Sequence, residues 1–482
     1  MNGVQVARLE LGASRTHLLR TSLLFLAAGA VCALAPFVEH AGLYLLASLQ
    51  FLAFLVPLWL SWHRGEFDLL EPVHVLGLIF FVYLGLGAVW VVQNPEAVAY
   101  DRNIVPYIPQ AALYGLLGYL ALLGGYTMVG RRAGKPRPGL VPRSQLFVAV
   151  PGLLGLAGSF LSALWEHAVQ VDANLPTAIA SIAQMGMFFM FAWALAWLLF
   201  FSGKATRATK WMLFGVLLPG SIVLAFRELN DKSLSINLIL APMLARAYCQ
   251  RRIPWRGVLA FLLVMVFVIF PIYNTFRNSD PHASHSERLT ATYRDIQQWN
   301  SRNYMQASFQ AFQARVAMIN SLAATIRDVG RWVPYANGET LFEPILTYLI
   351  PRLIWPDKPL FRMGRDFGET FRLVAVEDRK TNIEVTVEGE LYWNFGLGGI
   401  VVGMLVWGCA MRLLYRKFGA GDSFDPVRRA VFIAVMLEMI WFGAGIAAQT
   451  AAIGRMLVGL AAYTWLARRL GWLATAEPRI AG

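Results

Sequence analysis

The chain has 482 residues, of which 57% are hydrophobic and only 15% charged, and it carries a net charge of +13. Its mean hydropathy is +0.51. A soluble protein could not hide that much apolar surface, so a water-soluble enzyme or nucleic-acid-binding domain is excluded. The positive charge then reads as loop bias and attraction to anionic headgroups. Cys32, Cys249 and Cys409 fall in hydrophobic runs without metal-ligand spacing, so no disulfide and no metal site is expected.

Residues 1–17 are polar. The apolar run Leu18–Phe37 contains Ala33-Leu34-Ala35, which looks like a cleavage site, but the many runs behind it favour an uncleaved first helix. Further apolar runs lie near 42–62, 73–93, 111–130, 145–164, 177–202, 211–226, 235–249, 257–273, 389–413, 430–449 and 452–467. Each is close to the roughly 20 residues a bilayer requires. The prediction is an all-α, polytopic transmembrane bundle of about twelve spans. Alternate loops are basic: Arg131, Arg132, Lys135, Arg137 and Arg143, then Lys204, Arg207 and Lys210, then Arg251, Arg252 and Arg256, then Arg416, Lys417, Arg428 and Arg429. The short loops between them nearly lack Lys and Arg. Both termini are therefore expected in the cytoplasm.

Three regions follow. Residues 1–273 form an N-terminal bundle of about nine spans, 274–386 one large outer-face loop, and 387–482 the C-terminal spans. The loop is rich in cations but also in carboxylates, so a solvated surface accounts for any single arginine. Some cations sit in apolar company. Over 304–326, Met305, Phe309, Phe312, Val316, Ile319, Leu322 and Ile326 recur at three- and four-residue steps, with Gln306, Gln310, Gln313 and Asn320 opposite. This predicts one amphipathic helix at the interface, with Arg315 at the edge of its stripe. Leu341–Leu353 is apolar but too short to span, and Pro344 and Pro351 interrupt it. Arg352 follows Pro351, and Pro356 and Pro359 stiffen the chain around Lys358; Arg362 and Arg365 come next. An arginine in such surroundings needs a partner, either a carboxylate such as Glu343 or Asp357 or a substrate phosphate.

Residues 381–390 alternate as an extended segment leading into a span. Glu388 and Glu390 sit at the mouth of that helix. The dipole alone favours carboxylates there; the alternative is a general base or an acceptor for sugar hydroxyls. Arg227–Lys232 reads as a self-neutralising turn or a further phosphate contact through Arg227. His282 and His285 read as a solvated turn.

The order of Arg315 on its helix, NGETL at 337–341, IPRLIWPDKP at 350–359 and GELYWNFGLGGIV at 389–401 resembles the Wzy-type O-antigen and exopolysaccharide repeat-unit polymerases. The likeness is strongest over residues 300–405. It implies an architecture similar to the GT-C-like glycosyltransferases that use lipid-linked donors. It also implies a multi-pass enzyme of the bacterial inner membrane that joins undecaprenyl-pyrophosphate-linked oligosaccharides and releases undecaprenyl pyrophosphate; no DxD pair or histidine cluster stands out in the chain, so no metal or other cofactor is expected. Membrane lipids, a chain-length regulator and a flippase of the same pathway are the implied partners, and nucleic acid is not. On this reading Arg315, Arg352 and Lys358 grip pyrophosphate, with Arg362, Arg365 and Arg227 as further contacts. Glu388 or Glu390 deprotonates or orients the acceptor hydroxyl. Fixed cations stabilise the charge that gathers on the leaving group, and the guanidinium fork suits phosphate oxygens. The competing readings are an O-antigen ligase, which usually carries a functional histidine where this chain has Glu388–Asn394, and a lipid-linked oligosaccharide flippase or other transporter.

The expected outcome for Arg352→Ala is loss of polymer, with single repeat units left on the cell surface at unchanged protein level. Gel separation of surface glycans beside an immunoblot checks it; normal chain lengths would remove Arg352 from the site.

Overall fold

The computed structural model describes residues 39–63, 68, 71–95, 102–130, 139–170, 179, 182–227, 232–250, 255–280, 283–298, 300–350, 355, 363–374, 382–419, 425–441 and 443–475. The chain is all-helical. In order, the helices are α1 Glu39–His63, α2 Pro72–Gln93, α3 Arg102–Met128, α4 Leu146–Gln170, α5 Gln184–Phe201, α6 Arg207–Arg227, α7 Lys232–Gln250 and α8 Arg256–Phe276. They continue with α9 His285–Gln298, α10 Ser301–Val316, α11 Ile319–Asp328, α12 Glu339–Leu349, α13 Met363–Thr370, α14 Val387–Gly419, α15 Pro426–Met439 and α16 Ile446–Arg469. One small antiparallel pair, β1 Leu140–Pro142 and β2 Leu473–Thr475, ties the segment before α4 to the segment after α16.

Helix starts follow local chemistry. Thr206, Asn300, Thr386 and Asp425 each accept a backbone N–H three residues on, and proline occupies the first turn of α2 and α15. At α9, Ser284 donates its N–H and hydroxyl to the Glu287 carboxylate, both at 2.8 Å. These bonds hold the Glu287 carboxyl below the usual range. His285 opens this capped helix, where the sequence suggested a solvated turn; His282 lies outside the described residues.

Eight helices among the described residues are long and apolar enough to cross a bilayer: α1, α2, α3, α5, α6, α8, α14 and α16. They correspond to eight of the twelve expected spans, and the chain is a multi-pass membrane protein. Leu18–Phe37 lies outside the described residues. The run 145–164 is α4, whose apolar part, Leu146–Ser162, is shorter, and 235–249 is α7. The run 430–449 departs from expectation. It becomes the 14-residue α15 and then a non-helical stretch that ends at Gly445, where φ of +74° suits only glycine comfortably.

The expected single helix over 304–326 is also two. The chain breaks at Ala317–Met318 between α10 and α11. Phe309 and Phe312 of α10 meet Phe267 and Phe270 of α8, with ring centroids 6.1 and 6.0 Å apart. α11 is buried on nearly every side, Asn320 included. Amphipathic periodicity continued in phase across the break, which hid it.

The centre of the fold is the seam between α3 and α14. A Cβ on Gly125 would overlap the carbonyl oxygen of Leu405, and one on Gly408 would overlap that of Leu122. The two backbones touch, as small residues allow inside a membrane. Around this seam the largest buried side chains, among them Tyr119, Phe147, Phe189, Phe191, Trp193 and Phe432, fill the space between α3, α4, α5 and α15.

Gly125→Leu and Gly408→Leu must force the seam apart. Each is expected to cost about 3 kcal/mol or more, the upper end for overpacking. Gly124→Leu, at a position that faces open space, is the control. Thermal melting of detergent-solubilised protein by size exclusion should separate them; equal stability of all three would show that the seam is loose.

A reversed helix beneath an arginine–tyrosine mouth as the candidate functional site

α14 is not one rod. Phe395 and Gly396 leave helical geometry, with φ of −140° and +62°. Beyond them the chain turns back on itself. A Cβ on Gly399 would run into the carbonyl oxygen of Leu391, and one on Gly403 into the Leu391 side chain. Residues 387–394 therefore form a short limb lying against the start of the longer one. Glu388 and Ile400 both meet Gly118 of α3, where a Cβ would lie 3.2 and 3.1 Å from them. Tyr392, one turn beyond Glu388, meets Tyr114, one turn before Gly118, with ring centroids 5.8 Å apart. The limb thus runs antiparallel to α3, and the second half of α14 runs parallel to it. The glycines of NFGLGG permit this reversal; the sequence suggested an uninterrupted span.

The base of the limb is extended. Ser321 donates to the Glu384 carbonyl at 2.6 Å, and Val385 bridges to Ala444 before Thr386 caps the helix. Non-helical backbone of this kind survives among spans only when protein surrounds it, and Val385 through Glu390 are all buried. Asn394 fixes the upper end. Its side chain accepts from Gly338 N at 2.8 Å and donates to Thr340 Oγ1 at 2.7 Å and to the Glu390 carbonyl at 2.8 Å. Ala336 N adds a bond to the Trp393 carbonyl at 3.0 Å. The left-handed turn Asn337–Gly338, φ of 48° and 96°, is thereby stapled to the limb.

The two candidate carboxylates differ in one contact, for Glu390 Oε1, like both oxygens of Glu388, is buried without a hydrogen-bond partner among the described residues. Glu390 Oε2 accepts from Ala447 N at 3.1 Å in the first turn of α16, so Glu390 is a helix cap supplied from another helix. Glu388 is fully buried, and neither of its oxygens has a hydrogen-bond partner on another residue among those described. Gly118 lies about ten residues into the straight part of α3, roughly 15 Å along its axis, which is the middle of a span. An unpartnered carboxylate at that depth is costly, and such groups mark functional sites.

Above the limb lies an exposed cluster of arginine and aromatic side chains, called the mouth below. Arg331 donates to Tyr107 Oη, and its guanidinium stacks on the same ring at 5.1 Å. Arg372, at φ of 54°, lies over Trp332 at 4.7 Å. Trp332 Nε1 donates to Asp328 Oδ1 at 3.0 Å, and Arg327 neutralises Asp328 at 2.6 Å. Tyr335 sits against Gly396. Arg331 and Arg372 are exposed, and neither has a carboxylate partner among the described residues. They are cations held flat on aromatic faces and open to an anion.

The other expected cations fare differently. Arg365 pairs with Glu369 at 2.6 Å one turn along α13, which occupies it. Arg227 ends α6 and lies 5.9 Å from the Phe160 ring centroid. Arg315 is on α10, and nothing further is described of its side chain. Arg352, Lys358 and Arg362 lie outside the described residues. Sequence reasoning passed over Arg331, Arg372, Tyr107, Tyr335, Tyr392 and Asn394. The adjacent Arg331-Trp332 and the glycine cluster after Asn394 were the available signals. It also missed a polar knot at the opposite end of the seam. There Arg412 pairs with Glu71 at 2.8 Å, Tyr126 donates to the same carboxylate at 3.0 Å, and Tyr415 donates to Asp68 at 2.7 Å.

A family described as DUF8712, a domain of unknown function, matches residues 73–422. The chain belongs to this family. The DUF8712 stretch contains α2, α3, the mouth and the whole reversed helix, and it stops before α15 and α16. No curated protein and no solved structure matches the chain.

Removing Asn394 strands several hydrogen-bonding groups, so Asn394→Ala should lower stability by about 2–3 kcal/mol, and Glu390→Gln by about 1 kcal/mol. Glu388→Leu removes an unpartnered carboxylate and should leave stability unchanged or raise it. Thermal melting in detergent tests the ranking; a Glu388→Leu protein less stable than Glu390→Gln would reverse the assignment.

Proposed function

We propose that the chain is a polymerase that joins undecaprenyl-pyrophosphate-linked oligosaccharide repeat units at the outer face of a bacterial inner membrane, on a GT-C-like bundle of about twelve spans. The observation that supports this most is the mouth: Arg331 and Arg372, exposed, stacked on Tyr107 and Trp332, and without carboxylate partners. Guanidinium groups suit phosphate oxygens, while flat aromatic faces suit the apolar faces of sugar rings. By the distribution of Lys and Arg in the loops, this end of the bundle faces outward. Arg315, Arg352, Lys358 and Arg362 belong to the same outer interval and would extend the cationic surface.

The acceptor hydroxyl oxygen would bond to the donor's anomeric carbon while the bond from that carbon to pyrophosphate breaks. The electron pair leaves on the pyrophosphate, and the hydroxyl proton passes to a base. Cations fixed at the mouth would stabilise the departing charge. Glu390 is committed to the start of α16. Glu388 has neither oxygen bonded to another residue among those described, and the tip at Phe395–Gly396 would have to move for a hydroxyl to reach it.

A lipid-linked oligosaccharide transporter is the second reading, favoured by one observation: a helix that reverses beside a buried carboxylate at mid-span.

Arg331→Ala and Arg372→Ala should each slow polymer formation from purified lipid-linked repeat unit by roughly tenfold or more, the value of a hydrogen bond to a charged group. Arg331→Lys should rescue poorly. A chain-length assay checks both. Polymer formed at the normal rate by the double variant would overturn the mouth, and translocation without polymer would favour transport.

A further inference from the structure

Glu388 does nothing visible for the fold. It caps no helix, pairs with no cation and accepts from no other residue among those described. Its limb holds itself in place by other means: Thr386 caps it, Asn394 staples it, and Glu390 ties it to α16. The surroundings are Gly118 and Ile400, with Tyr114 and Tyr119 one turn or less away on α3. Tyr392 and Glu390 stand on its own limb, and Asn320 on α11, which packs against both. Among the described residues no lysine or arginine interacts with it. Gly118 leaves room beside the carboxyl group, since a side chain there would press on the Glu388 methylenes at 3.2 Å.

We propose that Glu388 is a membrane-embedded proton-exchange site, a carboxyl group that takes up and gives back a proton at the middle of the bundle. A metal ion would need further oxygen ligands, and none of the described carboxylates or histidines clusters with Glu388 in a metal-holding group. A proton needs only the one group. Its route to water runs past the Tyr392–Tyr114 pair to the mouth, through the reversal at Phe395–Gly396, where the backbone departs from helical geometry. The inference stands whether the ligand at the mouth is a glycan or not.

An apolar carbodiimide tests it, because such reagents modify protonated carboxyl groups that face an apolar interior. A reagent nitrogen takes the carboxyl proton and the carboxyl oxygen bonds to the central carbon. The acyl group then shifts from oxygen to nitrogen, giving a stable N-acylurea with no atom lost. The full chain, in detergent or in vesicles, would be treated with dicyclohexylcarbodiimide, digested and mapped by mass spectrometry. The expected result is an adduct on Glu388 whose yield falls as the pH is raised. A water-soluble carbodiimide should label it far less. Glu388→Gln should abolish the adduct while still eluting as a folded peak, and Glu390→Gln should retain it. Folded wild-type protein labelled at other carboxyl groups but not at Glu388 would overturn the proposal. So would equal labelling by both reagents, or a yield insensitive to pH. Untreated wild-type protein that forms no polymer from lipid-linked repeat unit in a chain-length assay, although Glu388 is labelled as expected, would overturn the glycan reading alone.

Discussion

Two backbones touching inside an apolar bundle set the geometry of everything else. Gly125 and Gly408 bring α3 and α14 together so closely that carbonyl oxygens occupy the places where side chains would be. Between membrane helices there is little hydrophobic gain from association, because lipid tails are as apolar as leucine; dispersion contacts and close packing must suffice. The seam also fixes the level of Gly118 against the reversed limb. Without that register Glu388 would meet a side chain instead of the space a glycine leaves.

The polar groups of the seam divide by depth. At one end Arg412, Glu71 and Tyr126 satisfy one another, with Tyr415 and Asp68 alongside. Breaking such a buried pair is expensive even where its net value is small. At the other end Arg331 and Arg372 are exposed and have no carboxylate partner among the described residues. In between lies a single limb with one occupied and one unoccupied carboxylate, two residues apart. The same helix therefore carries a structural acid and a functional candidate, and only the position of α16 distinguishes them.

Much of the helix inventory was legible in the sequence, because a span needs length and apolarity and both are local properties. Eight runs appear as helices of the expected kind. What was not legible is where helices stop inside apolar sequence. The break at Ala317–Met318 preserves the amphipathic phase, and the stretch after α15 keeps its hydropathy although its backbone is not helical. The reversal at Phe395–Gly396 left a trace in the clustered glycines, but glycine is common in spans. The site was half legible. Glu388 and Glu390 stood out as carboxylates beside a span, yet nothing local says that Glu390 reaches Ala447, 57 positions away along the chain. Arg331 was hidden among many outer cations, since stacking on Tyr107 joins residues 224 positions apart.

The cap that Glu390 provides has a mechanical corollary. α16 begins at Gly445 without a side-chain cap of its own, so its first amides depend on a carboxylate carried by the limb. Were the limb to swing, those amides would lose their acceptor at the same moment. Motion of the limb and the integrity of the first turn of α16 are therefore coupled through one hydrogen bond.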